Sequence, residues 1–388
     1  MNPPQGLRGA DLHPVTGAWR RGDHPGHRRF LSVGDVRLEV GGVLPDVEVA
    51  YETWGTLSPQ ADNAVLILHA LTGDSHVVGH AGDGHATGGW WEGLVGPGRP
   101  LDTDRWFVVA ANVLGGCQGT TGPASEHPDD DRPWGSRFPF VTVRDQVEVE
   151  ARLADALGID RWALVVGGSM GGMRALEWAC THPDRVERLL VLASTAYATG
   201  DQIAWCAPQL AAIRHDAGFR DGDYYDAAPG TGPHQGLGIA RQIAHTTYRA
   251  ADEINARFGR QAQPGEQPLG GFGRYAVESY LDHHAAKLVS RFDANSYLVL
   301  TEAMNSHDVG RGRGGVAAAL GRITARTIVA AVSSDRLFPV ALNAEIAEGV
   351  PRCGPVRVID SPYGHDGFLI ESDAVAKLVG ELLDDAAR

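Results

Sequence analysis

Ser169 is the side chain best placed for covalent chemistry. It lies in Trp162-Ala-Leu-Val-Val-Gly-Gly-Ser-Met-Gly-Gly-Met-Arg-Ala-Leu-Glu-Trp-Ala, which contains G-x-S-x-G. With 50 glycines in the chain, that pattern alone is weak. Its setting carries the weight: a strand-like run precedes it and a helix-like run follows, as a nucleophile elbow requires. Small neighbours let the chain turn sharply and lift the hydroxyl clear of a sheet. The helix N-terminus behind it favours developing negative charge. No Walker lysine follows, and the spacing is not that of a dinucleotide-binding loop.

A serine hydroxyl is a poor nucleophile until a base takes its proton, and the base needs an orienting acid. On this fold the chain order is Ser, then Asp or Glu, then His. The run Thr327–Val332 leads into Ser333-Ser-Asp335-Arg-Leu-Phe-Pro, which puts Asp335 in a loop after a strand. A later strand-like run ends at Ile359 and leads into Asp360-Ser-Pro-Tyr-Gly-His365-Asp-Gly-Phe-Leu, which puts His365 just before the last helix. Asp308 and Asp360 remain as rival acids. An oxyanion hole needs two backbone N–H groups aimed at one oxygen. Met170, the residue after the serine, supplies one; Leu71, in His69-Ala-Leu-Thr-Gly-Asp after the run Ala64–Leu68, is expected to supply the other.

These residues need a scaffold, and the hydrophobic pattern supplies one. Alternation from Phe30 to Thr53 predicts antiparallel strands. Short apolar runs at Ala64–Ala70, Trp106–Ala111, Trp162–Val166, Leu189–Ala193, Thr327–Val332 and Val356–Ile359 suit a sheet covered on both faces. Helical stretches at Val143–Leu157 and Met173–Cys180 alternate with them. The expected class is α/β, with a mainly parallel sheet flanked by helices. The alternation stops between about Thr195 and Gly321, a stretch with no strong strand runs that includes a Gly/Pro-rich tract at 259–273 and reads as mostly helices, and it resumes afterwards. The expected organisation is therefore a lead-in over 1–30, a core over 31–194 and 322–388, and an inserted helical cap over 195–321.

Composition excludes several alternatives. The 388 residues are 43% hydrophobic and 21% charged, enough apolar material for a buried core. A net charge of −14 repels phosphate backbones, so no nucleic-acid partner is expected. No stretch reaches the ~18 apolar residues of a membrane span, and residues 1–29 lack the apolar core of a signal peptide. Cys117, Cys180, Cys206 and Cys353 are far apart, which fits a reducing, cytoplasmic setting. His76, His80 and His85 lie near Asp74 and Asp83, but the stretch is Gly-rich and not helical, so no metal site is expected. Cys117 has no evident histidine partner and is not expected to be a nucleophile.

Seven segments together resemble the homoserine O-acetyltransferases: His69-Ala-Leu-Thr-Gly-Asp, Asn112-Val-Leu-Gly-Gly-Cys, Trp134-Gly-Ser-Arg-Phe-Pro, Gly167-Gly-Ser-Met-Gly-Gly, Leu298-Val-Leu-Thr-Glu-Ala-Met-Asn-Ser-His-Asp, Ser334-Asp-Arg-Leu-Phe-Pro and Tyr363-Gly-His-Asp-Gly-Phe-Leu. The resemblance runs from about residue 35 to 380 and is nearest the actinobacterial form; residues 1–30, 126–133 and 226–236 do not clearly match. It implies an α/β-hydrolase fold whose helical cap makes the site a deep tunnel, and acetyl transfer from acetyl-CoA, a co-substrate with no bound cofactor, to the hydroxyl of L-homoserine in methionine biosynthesis. The family's triad falls on Ser169, Asp335 and His365, its homoserine-binding residues on Arg241 and Tyr248, and its α-amino partner on Asp366. It also implies a homodimer through the cap helices. The alternatives are a succinyl donor, a serine acceptor, a carboxylesterase with the same triad, and a silent binding protein.

Overall fold

The computed structural model describes residues 13–384. Ten strands alternate with helices. They are β1 (Arg29–Arg37), β2 (Val43–Trp54), β3 (Ala64–Leu68), β4 (Val95–Gly96), β5 (Leu101–Asp102), β6 (Phe107–Ala111), β7 (Leu164–Gly168), β8 (Arg188–Leu192), β9 (Arg326–Val332) and β10 (Arg357–Ile359). Eight form one sheet in the order β1-β2-β6-β3-β7-β8-β9-β10, while β4 and β5 make a separate two-residue pair that the hydrophobic pattern does not signal. The β1–β2 and β2–β6 pairings are antiparallel and the rest are parallel.

Every residue of β3, β7 and β8 is buried, as continuous apolar runs require when helices cover both faces. Successive side chains go to opposite layers. Leu66, Leu68, Leu189 and Val191 join a core containing Val147 of α1 (Val143–Ala156) and Trp178 of α2 (Met170–Thr181). Val65, Ile67, Leu190 and Leu192 join one containing Val375, Val379 and Leu382 of α11 (Ser372–Asp384). Thr142 caps α1 and exchanges hydrogen bonds with Asp145, which sets the start of that helix.

The expected strands appear within a few residues of their sequence positions. The second helix begins at Met170, three residues earlier than its apolar pattern suggests. Between β8 and β9 the chain forms α3 (Gly200–Arg214), α4 (His234–Tyr248), α5 (Ala251–Phe258), α6 (Ala276–Val289), α7 (Ala294–Asn305) and α8 (Val316–Leu320). Leu210, Leu237, Leu288 and Tyr297 from these helices pack with Leu71 and Met170 in a third apolar cluster. The Gly/Pro tract at 259–273 carries only isolated bridges. The remaining helices are α9 (Val340–Gly349) and α10 (Gly367–Ile370). Of the expected lead-in, residues 1–12 lie outside the described residues; Gly17 N–H donates to Phe292 O and Trp19 N–H to Cys117 O. Among the described residues, no helix is long and apolar enough to cross a membrane.

Strand order reverses at β3, which has β6 on one side and β7 on the other. A crevice at the carboxyl ends of the strands follows from that reversal. The loops after β3 and β7, carrying Leu71 and Ser169, meet there.

Candidate active site

Ser169 joins β7 to α2 at φ 57° and ψ −124°, a strained conformation for a residue with a side chain. Its N–H donates to Leu192 O and its carbonyl accepts from Gly172 N–H. The turn closes only because its neighbours lack side chains: a Cβ on Gly167 would sit 2.1 Å from Gly171 O, and one on Gly171 2.0 Å from Leu68 O. Met170 is wholly buried and follows the serine as the first residue of α2.

His365 Nδ1 and Asp335 Oδ2 are 2.7 Å apart, both side chains buried. The other Asp335 oxygen accepts the N–H groups of Leu337 and Phe338 at 2.8 and 2.9 Å, which locks the carboxylate. Rings of Phe338, Phe368 and Tyr248 lie 5.0, 5.3 and 5.9 Å from the imidazole. Gly364, at φ 66°, lets this loop press on the end of α4, since a Cβ would lie 2.6 Å from Ala250 N. The rival acids are engaged elsewhere: Asp360 accepts from Ser333 Oγ and Asp308 from Gly310 N–H.

Arg241 and Tyr248 both stand on α4, with the guanidinium carbon 5.2 Å from the phenol ring centre. Arg241 Nε and Nη1 are buried and have no hydrogen-bond partner among the described residues. Burial pushes the Tyr248 hydroxyl up to about 12 against the pull of Arg241. Asp366 follows His365, and its Oδ2 lies 3.6 Å from Arg249 Nη1, an ion pair the sequence reading missed. Burial raises the Asp366 carboxyl, opposed by His365, Arg241 and Arg249. A cavity beside the site is lined by Leu71, Met173, Trp205, Tyr248, Leu337 and Phe338. Of these, Met173, Trp205, Leu337 and Phe338 carried no signal in sequence, because they come from three separate segments.

The His-rich loop behaves differently from its spacing. His76 and His85 do meet, through a loop, and Glu52 joins them with the ligand atoms within 4.8 Å of one another. The two rings stack at 3.7 Å and 13°, so their in-plane lone pairs run side by side and do not converge. Glu52 already accepts from Ser75 Oγ at 2.7 Å and holds His76 Nδ1 at 3.0 Å. This arrangement ties β2 to the loop and is poorly shaped for an ion. Cys117 is buried, and burial pushes its thiol far up, away from nucleophilic use.

A family model described as "alpha/beta hydrolase fold" matches residues 63–372. The homoserine O-acetyltransferase of Thermobifida fusca is 64% identical over 371 residues, 95% of this chain and 97% of that protein. That of Clavibacter michiganensis is 60% identical over 377 residues, 96% and 97% of the two chains. Among solved structures, the homoserine O-acetyltransferase of Bacillus anthracis superposes with a TM-score of 0.83 at 26% identity, covering 92% of this chain and 97% of that one. Esterase E22 superposes equally well, with a TM-score of 0.83 at 25% identity and coverage of 92% and 99%.

Proposed function

The chain belongs to the homoserine O-acetyltransferases of the α/β-hydrolase fold, and from that membership we propose that it moves the acetyl group of acetyl-CoA to the hydroxyl of L-homoserine through an acetyl-serine at Ser169. The product, O-acetyl-L-homoserine, serves methionine biosynthesis. The observation that carries the acceptor assignment is the buried, unpartnered pair of donors on Arg241. A buried guanidinium with donor atoms left free favours an incoming carboxylate, which it holds by a charge-assisted hydrogen bond.

The reaction has two halves. His365 Nε2 takes the Ser169 proton as Oγ attacks the thioester carbonyl, while Asp335 holds the imidazole through Nδ1. Negative charge on the tetrahedral oxygen is held by the N–H groups of Leu71 and Met170. The C–S bond breaks, and CoA leaves with the proton from His365. Homoserine then binds with its carboxylate on Arg241 beside Tyr248 and its ammonium at Asp366. The Arg249 ion pair has to share Asp366 with that ammonium. His365 takes the proton of the homoserine hydroxyl, whose oxygen attacks the acetyl-serine carbonyl; the acyl–Oγ bond breaks and His365 returns the proton to Ser169 Oγ. Ping-pong kinetics follow. No step calls for a cofactor or metal.

The helices over 195–321 act in this reading as a cap that narrows access and favours the alcohol over water. Two copies pair through it, and the protein works in the cytoplasm. The apolar cavity wall of Leu71, Met173, Leu337 and Phe338 supports acetyl over succinyl, whose extra carboxylate would need a cation. Arg336, the cation nearest in sequence, stacks on the Trp205 ring at 5.4 Å. The likeness to esterase E22 supports hydrolysis as the second reading. Acetyl-CoA and succinyl-CoA, each with homoserine, serine or water, distinguish them by free CoA and product mass. CoA release that requires homoserine and yields O-acetylhomoserine is expected. Equal release with water alone would make the protein a hydrolase.

A further inference from the structure

Outside the triad, one buried histidine has both ring nitrogens committed to backbone groups beside the reacting centre. His69 Nε2 lies 3.1 Å from Val113 N, and Nδ1 lies 2.8 Å from Ala70 O. A peptide N–H can only donate, so Nε2 carries no proton. A carbonyl can only accept, so Nδ1 carries it. The partners alone set the tautomer. We propose that His69 is a positioning residue that grips the Ala70 carbonyl and thereby aims the Leu71 N–H at the tetrahedral oxygen, with Arg174 fixing the peptide before it. The inference rests on the reading of Leu71 as an oxyanion donor.

The reasoning is geometric. In a planar trans peptide the C=O and N–H point in opposite directions, so holding Ala70 O determines where Leu71 N–H points. Ala70 O is held twice, by His69 Nδ1 and by Gly73 N–H at 2.9 Å. The preceding carbonyl, His69 O, accepts from Arg174 Nη2 at 2.5 Å. Arg174 is completely buried, and its Nη1 donates to Glu150 at 2.6 Å. Glu150 accepts in turn from Trp178 Nε1 at 2.7 Å. Arg174 and Trp178 stand on α2, the helix that begins directly after Ser169. One rigid element therefore registers the nucleophile against a donor from a different loop.

A buried Arg–Glu pair is costly to desolvate and is weak grounds for stability by itself. Two peptide planes held at the reacting centre give it a use. Burial, helped by Arg174, pushes the His69 imidazole down to about 3, so it stays neutral wherever the enzyme works. Its effect is a pH-independent factor on the acylation rate, separate from the acid–base work of His365.

The test uses the full-length enzyme and rapid-quench measurement of the first CoA released from acetyl-CoA. His69→Asn puts an N–H where Nδ1 was, and His69→Gln puts an acceptor where Nε2 was. His69→Gln is expected to slow acetylation by about 10- to 100-fold, a share of the ~10²–10³ lost with a whole oxyanion donor. KM for acetyl-CoA and the pH profile should be unchanged, and His69→Asn should recover most of the rate. Arg174→Lys, which keeps the charge but loses the planar fork, provides the same reading should His69→Gln fail to fold. Acetylation at the wild-type rate in both His69→Gln and Arg174→Lys, or a loss confined to KM, overturns the proposal. Replacing Leu71 by its α-hydroxy acid removes the N–H and keeps the side chain. If that ester leaves acetylation unchanged, the oxyanion reading falls and this proposal with it. If the ester slows acetylation and His69→Gln does not, only the positioning role falls.

Discussion

Replacing Arg241 by alanine separates the two half-reactions. Its Nε and Nη1 are buried with no partner among the described residues, so the guanidinium has donors left for a ligand carboxylate. Each hydrogen bond to a charged group contributes about 1.5–3 kcal/mol. Nε and Nη1 lie on opposite edges of the guanidinium, so one such bond to the carboxylate is counted, about 1.5–3 kcal/mol or roughly 10- to 100-fold in kcat/KM for homoserine. In the proposed mechanism the acetyl donor makes no use of this guanidinium, so the burst of CoA from acetyl-CoA should keep its rate and amplitude. The acetyl-enzyme of the variant, poor at binding its acceptor, should then lose more of its acetyl groups to water. Arg241→Lys keeps the charge but not the fork, and should fall between the two. Steady-state kinetics in homoserine, burst kinetics in acetyl-CoA and acetate yield together check this. A burst slowed as much as the homoserine reaction, or an unchanged KM for homoserine, would refute the assignment of Arg241 to the acceptor carboxylate.

Asp335→Asn should lower kcat by about 10⁴-fold, the cost of the wrong histidine tautomer. Its Oδ1 can still accept from Leu337 and Phe338, so thermal unfolding should move little while activity collapses. Ser169→Ala and Ser169→Gly should both abolish acetyl-enzyme detectable by intact mass. Glycine accepts φ 57° without strain, so it should be the more stable of the two by about 1 kcal/mol in denaturant unfolding; equal stability would argue that the elbow is unstrained. Burial pushes the Glu177 carboxyl up, but Arg313 and Arg144 outweigh it and the net shift is below the usual 4.5. A carboxylate lowered on folding stabilises above its unfolded pKa, and that stability is lost as pH falls through the folded value. Glu177→Gln should therefore cost about 2–3 kcal/mol near neutral pH, less than stranding a buried charge outright because Arg144 keeps Glu39. Melting curves of the two proteins should converge as pH falls through the lowered folded value of Glu177, and a constant gap would contradict this.

Much of the site is local chemistry, which a sequence displays. The elbow needs a strand, a serine among small residues and a helix in immediate succession, so Ser169 and Met170 stand out in one short run. Asp335 and His365 each follow a strand in the order this fold uses. The sheet was equally legible, since continuous apolar runs of five residues have few other uses. Arg241, Tyr248 and Asp366 came only from resemblance to a family. A helix with Arg and Tyr seven residues apart has no pattern that separates binding from packing.

Only the tertiary structure decided what depends on distant segments meeting. Hydrophobic periodicity assigns Asp335, Asp308 and Asp360 to loops, but which carboxylate reaches His365 follows from strand order and loop packing. The Arg249–Asp366 pair, the stacked His76 and His85 rings and the cavity wall of Phe338 and Trp205 have the same origin. His69 is the sharpest case. Its position after β3 is plain in sequence, but its tautomer and its grip on Ala70 require Val113 from the loop after β6 and Arg174 from α2. A chain encodes short-range geometry in adjacent residues and long-range geometry only in the summed burial of its core, which no single motif displays.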